Sequence, residues 1–147
     1  MRAITLLDVL ILANAVWFGL AFHLFWLRRQ VFAKILVPAP HRDTPVMGIL
    51  AESGKFLGGF NGALSLLNVA ILLQPALFPA TVSQAALCAF FAVAHGSQFA
   101  GNVPIALQNR RGGGVWPVKG LMGFIFVTDF TLMMANSVAA CLVAGLV

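Results

Sequence analysis

His95 and Asp129 stand inside stretches of the chain that are otherwise almost wholly apolar. An imidazole and a carboxylate side by side can share a proton, each holding the other in its charged form, and can then serve as acid and base. Five amides, Asn14, Asn61, Asn68, Gln98 and Asn102, are set into the same apolar surroundings as candidate ligand-binding groups. Counting about 1.5 Å per helical residue from the basic ends of the stretches puts His95 about 22 Å deep and Gln98 about 18 Å. By the same count Asp129 comes to about 15 Å, Asn68 to about 20 Å and Asn14 to about 21 Å. These five residues thus fall in one layer, near the middle of a membrane, on four different helices. Ionisable groups at that depth are costly and are functional candidates by default. Two readings follow: a buried polar tie that fixes helix register, and a proton-handling or ligand-orienting pair.

The polar residues keep helical step. Gln84, Cys88, Phe91, His95, Gln98 and Asn102 follow one another by fours and threes, so they share one helix face. Lipid offers such a face nothing, and it must look into the protein or at a partner subunit. Gly96, Ser97 and Gly101 make a small-residue face beside it, and Pro104 frees the carbonyl of Ala100 near the helix end. Asp129, Asn136 and Ala140 form a similar track further on. Gly58 and Gly62 have the small-xxx-small spacing that lets backbones approach closely in lipid, and Asn61, Ser65 and Asn68 run along the same side. His23 is a candidate haem or chlorin ligand of low specificity, since Gly19 one turn earlier leaves space for a flat macrocycle. It lies only about 7 Å deep, so joint ligation with His95 is not expected. A histidine snorkelling toward headgroups is the plainer reading. Asp8 reads as a solvated first-turn carboxylate.

Four apolar stretches must position these residues, at about 4–27, 56–73, 82–107 and 118–146. Each is long enough, or nearly so, for the ~20 residues that cross a bilayer core. The chain is 61% hydrophobic and 9% charged, against about 25% charged in soluble domains. The expected fold is therefore an all-α integral membrane protein, a four-helix antiparallel bundle forming a single membrane domain over 1–147. Its 147 residues leave no length for a separate soluble catalytic domain. Of nine basic residues, eight lie in or beside the connections 28–55 and 108–117, and Arg2 alone lies on the other side. The positive-inside rule places both connections in the cytoplasm and both termini outside, as in a bacterial inner membrane. Arg28, Arg29, Arg110 and Arg111 then face anionic lipid headgroups. Nucleic acid, which needs a basic face on a soluble module, is excluded as a partner.

Within 28–55, three prolines between Val37 and Pro45 mark a loop, and Thr44-Pro45 is a helix-start signal with a capping hydroxyl. The second helix can thus begin at Pro45, with Glu52 and Lys55 paired three apart. Gln74–Thr81 is short and uncharged and makes its flanking helices antiparallel neighbours. Gly112, Gly113 and Gly114 make the third connection a flexible basic turn, and Trp26 and Trp116 suit the headgroup level. The first stretch is too long for a signal-peptide core and reads as a permanent anchor.

Cys88 and Cys141 lack metal-ligand spacing and read as packing residues. Zinc clusters, HExxH, a Gly-x-Ser-x-Gly elbow, a Walker motif and tandem span arginines are all missing, so no metal and no particular cofactor is indicated. In outline the chain resembles the membrane-associated enzymes of eicosanoid and glutathione metabolism. Those are small, basic, four-helix trimers with a cytoplasmic first connection. The resemblance covers the whole chain but no motif, because the stretch 52–61, Glu52-Ser-Gly-Lys-Phe-Leu-Gly-Gly-Phe-Asn61, lacks that family's arginines. The expected function is a helix-packing subunit, homo-oligomeric or accessory to a larger complex, holding a hydrophobic ligand or cofactor in a midplane polar pocket. The alternatives are a membrane enzyme on a lipophilic substrate, with His95 and Asp129 as acid and base, and a small oligomeric transporter.

Overall fold

The structure, a computed structural model, describes residues 5–146. Arg2 and Ile4 lie outside the described residues. Within them the fold is all-α: α1 (Leu6–Phe22), α2 (Arg29–Leu36), α3 (Pro45–Leu73), α4 (Thr81–Arg110) and α5 (Leu121–Ala144). α1 runs on as a π-helical stretch, His23–Leu27, and single 3-10 turns occupy Ala39–His41 and Pro75–Leu77. The chain clusters into two compact units, one that runs to Ile11 and resumes at Ala70, the other Leu12–Val69.

In the Leu12–Val69 unit, glycines on α3 let α1 approach. A Cβ on Gly58 would lie 2.8 Å from Trp26 Cβ and 2.9 Å from the Trp26 nitrogen, and one on Gly62 would lie 2.9 Å from the Phe22 ring. Ser65 completes the contact by donating from Oγ to the Ala15 carbonyl at 2.8 Å. Close backbone approach is the main way helices associate where lipid removes the hydrophobic drive.

The segment 28–55, expected as a loop up to Pro45, is instead largely helical. The π turn closes with Arg28 N–H donating to the His23 carbonyl at 2.8 Å, and α2 follows. The prolines that suggested a loop begin only at Pro38, which leaves Arg29–Leu36 free to form two turns. Phe32 and Ala33 are buried, and Ala33 packs with Met47 and Ala51 of α3. Arg42 closes the end of α2, donating to the carbonyls of Val37 at 3.0 Å and Lys34 at 2.7 Å. α3 does start at Pro45, but the Thr44 hydroxyl does not cap it. It donates back to the His41 carbonyl at 2.8 Å.

In the other unit, α1 begins with a reciprocal cap. The Asp8 carboxylate accepts from Thr5 N–H at 2.8 Å and Thr5 Oγ1 at 2.7 Å, while Asp8 N–H donates to Thr5 Oγ1 at 3.2 Å. Asp8 is accordingly a half-buried capping group rather than a solvated carboxylate. α4 continues through Pro104 to Arg110. The turn after it is organised by Asn109. Its amide donates to the carbonyls of Gly113 (2.9 Å) and Trp116 (3.1 Å), and its oxygen accepts from Val118 N–H at 2.6 Å. Gly112 (φ 81°) and Gly114 (φ 110°) supply the positive dihedrals this path requires.

Among the described residues, three helical segments are long and apolar enough to cross a membrane: Leu6–Leu27, Pro45–Leu73 and Leu121–Ala144. Only 11% of the apolar window in Leu121–Ala144 is buried, so most of that surface needs an apolar medium. α4 has the length, but its polar stripe keeps it out of this group.

Candidate functional site

α4 packs along α5. The buried residues of α4 include Leu87, Cys88, Phe91 and His95, and those of α5 are Met122, Asp129, Leu132 and Asn136. Cys88, Phe91 and His95 step by three and four, with Leu87 four before Phe91, and the α5 set steps by seven, three and four, so each forms one seam. His95 and Asp129 meet in that seam: His95 Nδ1 is 3.3 Å from Asp129 Oδ1, and both side chains are 0% exposed. An ionised carboxylate only accepts, so with Asp129 charged the Nδ1 proton points at it. Next to the pair, Phe99 stacks on Phe126 at 4.7 Å and lies 5.0 Å from Phe130, the residue after Asp129.

The other candidate residues fall into separate groups. Gln98 and Asn102 lie further along α4 and are half-buried. Asn102 Nδ2 donates to the Gln98 carbonyl at 3.0 Å, and its oxygen accepts from the Trp116 indole at 3.3 Å. These two residues tie the end of α4 to its turn. Asn14, Asn61 and Asn68, all in the Leu12–Val69 unit, are buried. Asn61 donates to the Leu57 carbonyl at 2.7 Å and Asn68 to the Leu64 carbonyl at 2.8 Å. Asn136 treats Leu132 the same way at 2.8 Å. Asn61, Asn68 and Asn136 thus each donate to the carbonyl four residues back in their own helix. Asn68 Oδ1 is buried and has no hydrogen-bond partner among the described residues.

Among the glycines, Gly58 and Gly62 touch α1 as described, whereas a Cβ on Gly101 would meet nothing within 4 Å. The small-residue face on α4 is thus not a uniform contact. Gly96 lies against the Met133 thioether, and Gly101 lies open. His23 is exposed, and the space above it is not vacant: a Cβ on Gly19 would sit 3.2 Å from Ser65 Oγ. The space that Gly19 was read as leaving for a macrocycle is taken by the α3 side chain. Among the described residues no group of three or more His, Cys, Asp or Glu is placed to hold a metal. Arg29 pairs with Glu52 at 2.8 Å, and Lys55 pairs with the same carboxylate, while Arg28, Arg110 and Arg111 are exposed.

Sequence inspection missed two features near these sites. One is Asn109, whose role needs the positive-φ glycines to be seen as a path rather than a flexible run. The other is a cavity of about 180 Å³ between Asp8 and Gln84, closed by Leu7, Ile71 and Phe78. Gln84 was visible as the first member of the α4 stripe, but its amide turns to the Phe78 carbonyl at 2.9 Å. The chain matches no family model, no curated protein and no solved structure.

Proposed function

We propose that this chain is an integral membrane protein of four spans, with both termini outside and both basic connections cytoplasmic. It acts as a helix-packing subunit, homo-oligomeric or accessory to a larger bacterial inner-membrane complex. In that role it holds the polar end of a hydrophobic ligand or cofactor at a buried polar seam. One observation carries this reading. Of the seven largest fully buried side chains, five are polar (His95, Asn14, Asn68, Asn136 and Asp129), while Phe56, Phe60 and Phe124 are exposed. That distribution inverts a soluble core and suits a lipid solvent, where polar groups must turn inward. α4 becomes the fourth span on this reading because its polar residues turn to protein partners, His95 to Asp129 of α5, Gln84 to Phe78 and Asn102 to Trp116. The unmatched Asn68 oxygen supports a ligand, or an ordered water, that brings a hydrogen-bond donor.

The test is purification in mild detergent, with mass analysis and an absorbance spectrum. An assembly larger than one chain, or a co-purifying lipophilic molecule, is the expected outcome. A monomer with nothing bound would overturn the subunit reading. Topology is checked separately by introducing cysteine at Asp43 or Gly113 after Cys88 and Cys141 are replaced by alanine. An impermeant reagent added outside intact cells should leave both positions unlabelled.

The His95–Asp129 contact favours one second reading, a membrane enzyme on a lipophilic substrate such as a quinone, sterol or polyketide. Asp129 would hold the Nδ1 proton and so orient the ring, leaving Nε2 as the basic nitrogen. On this reading His95→Gln keeps the fold but changes which lipophilic species co-purifies, as substrate builds up. An unchanged extract from a folded His95→Gln protein argues for the structural role.

A further inference from the structure

The Leu12–Val69 unit carries a broad groove of about 1110 Å³ along α3, bounded on one side by Trp26. We infer that this groove seats an anionic glycerophospholipid of the cytoplasmic leaflet, with its phosphate at Lys55 and one acyl chain running over Gly59 between Phe56 and Phe60. The inference rests on the membrane placement proposed above. α3 has 29 residues, about 43 Å of helix at 1.5 Å each, against about 30 Å of hydrocarbon. Roughly nine residues must therefore stand outside the core, which brings Lys55 to the boundary if Leu73 marks the other edge.

From Lys55 to Ala63 the groove then descends about 12 Å, most of the ~15 Å depth of one leaflet. Gly59 adds no side chain to its floor, and the edge of the Trp26 ring borders it, 3.4 Å from where a Gly59 Cβ would be. Phe56 (76% exposed) and Phe60 (72%) stand up as ridges beside it. A linear apolar chain fits that shape.

The charge at the mouth selects the headgroup. Arg29 and Lys55 share the single carboxylate of Glu52, so the trio carries a net charge of one positive. One phosphodiester neutralises it. A zwitterionic headgroup adds its own cation beside the trio and leaves the excess in place. A second copy of this chain in the same orientation would bring a like-charged trio to the same level, which is repulsive.

Brominated lipids read the site directly, because bromine quenches a nearby indole. The protein is reconstituted in phosphatidylcholine vesicles containing equal small fractions of dibrominated phosphatidylglycerol or dibrominated phosphatidylcholine. The Trp26 signal is taken as the difference between wild type and Trp26→Phe. Phosphatidylglycerol should quench Trp26 with a roughly fivefold preference, the effect of one basic residue at a membrane surface. Lys55→Glu should abolish the preference and Lys55→Arg should keep it. Equal quenching by both lipids would show ordinary annular contact and overturn the inference while sparing the membrane placement. A preference that survives Lys55→Glu would also overturn it. No quenching by either lipid would remove the membrane placement and the groove's lipid together.

Discussion

The α1–α3 contact and the α4–α5 hairpin both join long helices, and they do it by different means. α3 brings its backbone against α1 through Gly58 and Gly62, where an added Cβ would meet Trp26 and Phe22 at under 3 Å. The hairpin has side chains in its seam, and its fully buried members include a titratable pair, His95 and Asp129. Close backbone contact tolerates no added volume but has no charge to lose. A buried ion-forming pair tolerates shape changes around it but not the loss of one partner. The first contact suits a rigid scaffold. The second rests on two complementary polar side chains and fails when either is lost.

The largest expected effect tests the hairpin. His95→Leu or Asp129→Leu alone takes the 3.3 Å contact from a partner that stays buried, and should cost up to about 3–5 kcal/mol in detergent-unfolding experiments. The double replacement by leucine should recover most of that loss. If both single variants unfold like wild type, the pair is not holding the hairpin, and the contrast with α1–α3 collapses. If the double variant is stable but loses a bound molecule, the seam is a ligand site rather than a tie.

Next in size is the backbone contact. Gly58→Ala should cost about 1–3 kcal/mol, because the atoms in its way belong to the Trp26 backbone and Cβ and cannot swing aside. Gly96→Ala is the matching change in the hairpin. There the nearest atom is the flexible Met133 thioether, 3.2 Å from the new Cβ, and the cost should be far smaller. Thermal unfolding of both variants measures the difference. Equal losses would mean that the two contacts are built alike.

Much of this was legible beforehand, for reasons that also explain what was not. Helical step alone put His95 on the buried face of α4, and a short connection put Asp129 on a neighbouring helix. The four-residue spacing of Gly58 and Gly62 was likewise visible. Depth counting put Asn68 in one layer with His95 and Asp129 but could not see that it bonds back to its own helix. Nor does spacing show that Asn61 does the same or that Asn102 turns to Trp116. α2 was missed because prolines from Pro38 onward coloured the reading of the eight residues before them. The Ser65 hydroxyl against Gly19 lies 46 positions away in sequence, and no local pattern announces it.

A smaller effect is expected at the turn after α4. Asn109→Ala removes three hydrogen bonds to Gly113, Trp116 and Val118, each worth about 1 kcal/mol at most where the turn is solvated. The loss should be local. Hydrogen exchange over 110–118 should quicken while exchange in α4 near His95 stays slow. Fast exchange at both would mean that the turn, rather than the His95–Asp129 pair, secures the hairpin.

The smallest effect is expected at Gly101, where the contrast between the two contacts can be extended to the outer face of α4. A Cβ there meets nothing within 4 Å in a single chain, so Gly101→Ala should gain up to about 1 kcal/mol from helix propensity alone. That is the opposite sign from any added carbon at Gly58. If Gly101→Ala instead lowers thermal stability, something outside this chain already covers the open face. Mass analysis of the same sample then decides what covers it. Loss of a larger assembly in the alanine variant would make Gly101 a backbone contact between copies or with a partner, of the same kind that Gly58 makes within the chain. A stabilised variant whose assembly is unchanged would leave that face to lipid.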